Sequence, residues 1–240
     1  MRRIIPAAAT CVTAVLVALT PAIAAAAPPL EPRPAITPGS GMADSGPDGT
    51  GGDACTIGFL AHTKTGQAAM LTAGHCDKGG PAFIKYTGTG KYEPIGSFQK
   101  TVSEGEGETD SDIAMVGLNS SVPKDLRVIG IRPITGSTSN LRIGQDLCHF
   151  GLTSGLQCGA VRAMTPTKVV YGAKSAPGDS GGPVYVRNPD GTATAVGVLL
   201  GGKPDGGTVA ELAEPWLRRW ELTLDTTNTG PGVQNANYHR

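Results

Sequence analysis

The stretch Pro177-Gly178-Asp179-Ser180-Gly181-Gly182-Pro183-Val184 sets one serine hydroxyl among three glycines. Such a hydroxyl is a weak nucleophile until a neighbouring base takes its proton. A carbonyl under attack gathers negative charge on its oxygen, which calls for converging backbone N–H donors. Glycines allow a loop tight enough for that convergence. The N–H groups of Gly178 and Ser180 are the candidate donors.

Two upstream segments supply the remaining chemistry. Leu71-Thr72-Ala73-Gly74-His75-Cys76 carries a histidine, the side chain suited to general base work near neutral pH. Ser111-Asp112-Ile113-Ala114-Met115-Val116 carries a carboxylate at the head of an apolar run. A carboxylate behind a histidine fixes its tautomer and stabilises the imidazolium. Asp110 competes with Asp112 for that place. The acidic run Glu104, Glu106, Glu108, Asp110 lacks the spacing of an EF-hand loop and reads as a solvated loop rather than a calcium site.

Around these segments the texture is that of a β protein. Twelve short β-rich runs, from Cys55–Leu60 to Gly207–Leu212, are broken by Gly, Asn and Pro. They fall into two series of six, divided near 133–140, with Arg127–Ile131 closing the first. The 35 glycines and 19 prolines among 240 residues suit tight turns and exclude a helical bundle or coiled coil. One helical signal begins at Pro215 and continues through Trp216 to Trp220, and Glu221–Leu224 then reads as extended.

The ends of the chain read differently. Arg2 and Arg3, an apolar run from Ala7 to Ala24 and an alanine-rich stretch to Ala27 read as a signal peptide over 1–27. Residues 28–53 are Pro- and Gly-rich and read as a flexible arm or short pro-segment, and 226–240 as a disordered tail. With Cys11 in the signal, four cysteines remain, and an exported chain would join them in two disulfides of open pairing. No C-x2-C pair suggests zinc. Twenty basic residues balance twenty acidic ones, so there is no electrostatic footprint for nucleic acid. Only the N-terminus is apolar for long enough to meet a membrane, so no stable membrane association is expected once it is cut.

LTAGHC, DIAMV and GDSGGPV, in that order, resemble the three active-site segments of the chymotrypsin-like (trypsin-type) serine proteases. The order His, Asp, Ser differs from that of subtilisins and α/β-hydrolases, and GDSGG is not a G-x-S-x-G elbow. The resemblance spans about residues 55–225. It points to the secreted bacterial streptogrisin and α-lytic protease branch, whose disulfide-closed loop the segment Cys148–Cys158 is similar to.

The resemblance implies an all-β fold of two antiparallel six-stranded barrels, about 54–133 and 140–225, with the active site in the cleft and a short C-terminal helix. It implies catalytic His75, Asp112 (over Asp110) and Ser180, and an oxyanion hole from Gly178 and Ser180. Leu200, Gly201 and Gly202 would hold extended substrate through their backbones. The implied disulfides are Cys55–Cys76 and Cys148–Cys158. A secreted monomer that cleaves polypeptides without cofactor or metal follows from the same likeness.

Three departures bear on function. The family aspartate at Asp179 is buried and paired, and the bacterial branch pairs it with an arginine at the position that is His149 here. An ion pair between His149 and Asp179 is therefore expected, favouring the charged imidazole. Leu200 stands where a serine that bonds near the catalytic carboxylate is usual, and a third disulfide is missing. Leu200 and His149 support an alternative reading, a protease-like module that binds extended peptides without turnover. A third reading is a surface protein anchored by an uncut signal.

Overall fold

The computed structural model describes residues 34–45, 52–85, 92–105 and 110–227. In chain order the elements begin with β1 (Gly41–Ser45), β2 (Gly52–Thr56), β3 (Leu60–Thr63), β4 (Ala68–Thr72) and a 3-10 turn at Gly74–Cys76. Next come β5 (Pro81–Lys85), β6 (Tyr92–Ser103), β7 (Asp112–Leu118), β8 (Arg127–Val128) and β9 (Arg132–Ser137). The second half holds β10 (Asp146–Gly151), β11 (Gly155–Met164), β12 (Lys168–Tyr171), β13 (Pro183–Arg187), β14 (Ala193–Gly202) and β15 (Thr208–Leu212). The helix α1 (Ala213–Arg219) and β16 (Leu222–Leu224) complete the fold.

One sheet runs β16-β3-β4-β7-β6-β5-β1-β2, and the other β13-β10-β11-β12-β15-β14-β9-β8. In the second sheet β13 also pairs with β14, closing β10–β15 into a six-stranded barrel. Among the described residues no pairing closes the first sheet. The all-β class and the short C-terminal helix are as expected, but the two halves divide differently. β9 joins β14 in parallel, and β16 crosses back to pair with β3. Arg127–Ile131 is cut short because Ile129 (φ 46) and Gly130 (φ 69) turn the chain.

Residues 34–45 correct the reading of 28–53 as a flexible arm. β1 pairs with both β2 and β5, and Ile36 (0% exposed) and Met42 are buried. The Gly39 N–H donates to the Ile57 carbonyl, and the Ile57 N–H to that of Ser40. A ladder of backbone bonds needs no side-chain periodicity, so a Pro- and Gly-rich composition conceals it. The signal segment 1–27 and the tail from 228 onward lie outside the described residues.

Strand alternation explains the seam between the two sheets. Along β7, Ile113 and Met115 point to one face, Val116 and Leu118 to separate contacts on the other. Ile113 and Met115 join Leu71 of β4, Val198 of β14 and Trp216 and Leu217 of α1 in one buried cluster. Each large side chain buried there stabilises the fold by about 1.5–3 kcal/mol. The helix begins at Ala213, two residues ahead of Pro215, whose missing N–H falls in the first turn where no intrahelical acceptor exists. Among the described residues no helix is long and apolar enough to cross a membrane.

Candidate active site

β4 and β7 are neighbours, so the turn that follows β4 lies beside the residue that opens β7. The disulfide Cys55–Cys76 ties that turn to β2. His75 donates from its backbone N–H to Asp112 Oδ1 at 2.7 Å, and its Nδ1 bonds Asp112 Oδ2 at 2.5 Å. An ionised carboxylate only accepts, so the imidazole proton sits on Nδ1 and Nε2 is left as the basic nitrogen. The Asp112 side chain is 9% exposed and that of His75 40%, which shields the carboxylate and leaves the imidazole open to a ligand. A Cβ on Gly74 would lie 2.0 Å from the Val102 carbonyl and 2.8 Å from Asp112 Oδ1, so only glycine lets the turn come this close. Cys55 and Cys76 converge on His75, but their sulfurs are bonded to each other and make no thiolate ligands.

Ser180 lies in the loop between β12 and β13, half-buried, with its hydroxyl donating to the Leu200 carbonyl at 3.2 Å. Gly178 takes φ +98°, a conformation that L side chains rarely adopt. Among the described residues the N–H groups of Gly178 and Ser180 find no acceptor, whereas those of Ala176, Asp179, Gly181 and Gly182 are bound. The Gly178 carbonyl accepts from the Thr56 hydroxyl at 2.8 Å, and the Ser180 carbonyl from the Thr56 N–H at 2.7 Å. The same Thr56 hydroxyl accepts the Leu152 N–H at 2.9 Å. Sequence reading missed Thr56, whose only signal is its place next to Cys55.

Asp179 is fully buried, and its partners are main-chain groups. Oδ1 accepts from the N–H of Thr153 and of Ser154, both at 2.9 Å, and Oδ2 from that of Ala176 at 2.8 Å. Burial alone would raise its pKa, but hydrogen bonds from Ser154, Ala176 and Thr153 outweigh it and hold the carboxyl below its ordinary range. The expected ion pair with His149 does not form. His149 is fully buried, with Nδ1 hydrogen-bonded to the Tyr171 hydroxyl at 2.8 Å. Burial lowers its pKa to about 4, against the pull of the Asp179 charge and the Lys174 backbone. A short imidazole inside the barrel does not reach the carboxylate as a long guanidinium does, and the loop backbone takes over the pairing.

In β14 the pairing with β15 slips between Leu199 and Gly201, which leaves Leu200 at a bulge. Its side chain packs into the seam clusters and offers no hydrogen bond, while its carbonyl meets Ser180. Gly201 faces open space, and Gly202 lies against Ser175 Oγ. Cys148 and Cys158 stand opposite each other across β10 and β11 and are bonded. His62 pairs with Asp225 at 2.5 Å.

The fold is chymotrypsin-like, and comparison with known proteins agrees. The Trypsin family profile matches residues 50–213, and the chain belongs to that family. It is 30% identical over 177 residues to "Serine protease 2" of Streptomyces fradiae, covering 66% of this chain and 94% of that protein. The crystal structure of Thermobifida fusca protease A matches with a TM-score of 0.63 at 25% identity. That of Nocardiopsis protease matches with 0.61 at 27% identity. Each match covers 80% of this chain and 100% of the other. These relationships support a proteolytic function.

Proposed function

We propose that the protein is a secreted serine endopeptidase acting through an acyl-enzyme. The observation that carries the reading is the doubly bonded His75–Asp112 pair, in a fold whose closed barrel presents Ser180 on a braced loop. His75 Nε2 takes the Ser180 proton as Oγ bonds the scissile carbonyl carbon. Asp112 holds the imidazole and stabilises its charge. The free N–H groups of Gly178 and Ser180 receive the oxyanion. The carbon–nitrogen bond then breaks, with His75 giving the proton to the leaving amine, and water releases the acyl group by the same steps. Leu200, Gly201 and Gly202 pair with the substrate backbone, and residues 1–27 direct export.

Replacing Ser180 with Ala is expected to lower kcat on a peptide substrate on the order of 10⁴- to 10⁶-fold with an unchanged melting temperature. Hydrolysis at the parent rate by that variant sinks the mechanism. One observation favours the second reading, a peptide-binding module: the Ser180 hydroxyl donates to Leu200 instead of standing free. Tight peptide binding without hydrolysis by the unmodified protein would select it.

A further inference from the structure

Asp112 is held on one side by His75. What lies behind it is a second acid, in a strand whose sequence Thr208-Val209-Ala210-Glu211-Leu212 gives no sign of chemistry. Glu211 sits in β15, opposite Lys168 of β12 and Val198 of β14, and is 0% exposed. Its Oε1 accepts the Trp216 indole N–H at 2.8 Å. Oε2 is buried with no hydrogen bond of ordinary geometry.

The polar groups acting on this carboxyl come from three elements: Trp216 of α1, Lys168 of β12, and Asp112 of β7 through both its backbone N–H and its carboxylate. Burial is the largest influence and raises the Glu211 pKa, with the Asp112 charge adding to it. The Trp216 hydrogen bond, the Lys168 charge and the Asp112 N–H act in the opposite direction. An unsatisfied buried polar atom is costly, and Trp216 alone needs only one acceptor. A two-oxygen group at this place is explained by a second donor, and because Trp216 shares a buried cluster with Ile113, next to Asp112, the Asp112 N–H is the one at hand.

On the protease reading above, we propose that Glu211 is a positioning residue for Asp112: Oε1 is committed to Trp216, and Oε2 receives the Asp112 main-chain N–H. The bond is weak in the free protein and tightens when the site is occupied, as catalytic hydrogen bonds often do. It fixes the start of β7 and so the aim of the Asp112 carboxylate at His75. The serine usual at Leu200 is thereby replaced by support from the adjacent strand.

The test is Glu211→Gln, near in shape, whose one oxygen serves Trp216 or Asp112 but not both. The expected result is a fall in kcat of about tenfold with KM unchanged. The low-field NMR resonance of the His75 Nδ1 proton should also shift or broaden. A merely structural Glu211 predicts a lower melting temperature with kcat and that resonance unmoved, and this overturns the proposal. Should the variant not fold, the wild-type protein decides. The Asp112 amide proton should resist exchange with solvent and shift as Glu211 titrates, and an unprotected, pH-insensitive amide is the contrary result. Neither NMR readout needs turnover. An inactive wild type therefore sinks the protease reading while the Glu211–Asp112 contact is still judged.

Discussion

His75 reaches Asp112 twice, through its backbone N–H at 2.7 Å and its Nδ1 at 2.5 Å, one bond to each carboxylate oxygen. The carboxylate cannot turn without losing one of them. The histidine's tautomer and the direction of its ring are thus set by the same group, and Gly74 makes the approach sterically possible.

Asp112→Asn tests this directly. Asparagine has one acceptor oxygen, and its NH2 would face a donor, so the imidazole is pushed to the wrong tautomer. The account expects a loss of roughly 10⁴-fold in kcat with little change in KM. Steady-state kinetics on a peptide substrate give the answer, and a variant retaining most of its turnover contradicts the role of Asp112.

Thr56→Val removes one hydroxyl that holds both Gly178 and Leu152. The part-buried N–H of Leu152 loses its acceptor, at a cost of about 0.5–1.5 kcal/mol. The urea midpoint should fall, and kcat should fall with it because the Gly178 carbonyl is no longer fixed. A lower midpoint with normal kcat would show that the Ser180 loop holds its shape without Thr56.

Acid should weaken the protein in a window set by His149. Its folded pKa, about 4, lies below the ordinary 6.5, so between these values the unfolded chain binds a proton that the folded chain refuses. Stability therefore falls as pH drops from 6.5 to 4 and levels off below that. Asp179, with its pKa lowered, adds stability that is present above the unfolded carboxylate range and lost as pH falls through the folded value. Melting temperatures between pH 4 and 7 should decline less steeply in His149→Phe than in the parent, and equal slopes would remove His149 from the account.

Ile36 anchors the segment before β1. Ile36→Ala should cost about 2–5 kcal/mol in chemical unfolding. A cost near zero would return the segment to the status of a removable arm.

The contrast between legible and illegible features has a physical basis. The His75–Asp112 contact and the glycine-rich turn at Ser180 are legible because the signals around them are local: a glycine that permits a turn, an apolar strand, a glycine-flanked loop. The cysteine pairs followed from the family likeness and are formed. β1 was hidden because its stability lies in backbone bonds to two neighbours. The partner of His149 was hidden because Tyr171 reaches it through the barrel interior, from two strands away. Glu211 was hidden because an acid in a strand ordinarily marks a solvent face, and here that face meets α1 and β7. The return of β16 to the first sheet depends on how α1 packs across the seam, which no local pattern encodes.

The most direct test of the central claim is covalent labelling with a fluorophosphonate, read by intact mass and peptide mapping. The reagent requires an activated serine beside working oxyanion donors. The account predicts a single adduct on Ser180 at neutral pH, abolished in His75→Ala. A disulfide-bonded, folded protein that takes up no label, or takes it up at another residue, contradicts the claim that Ser180 is a catalytic nucleophile.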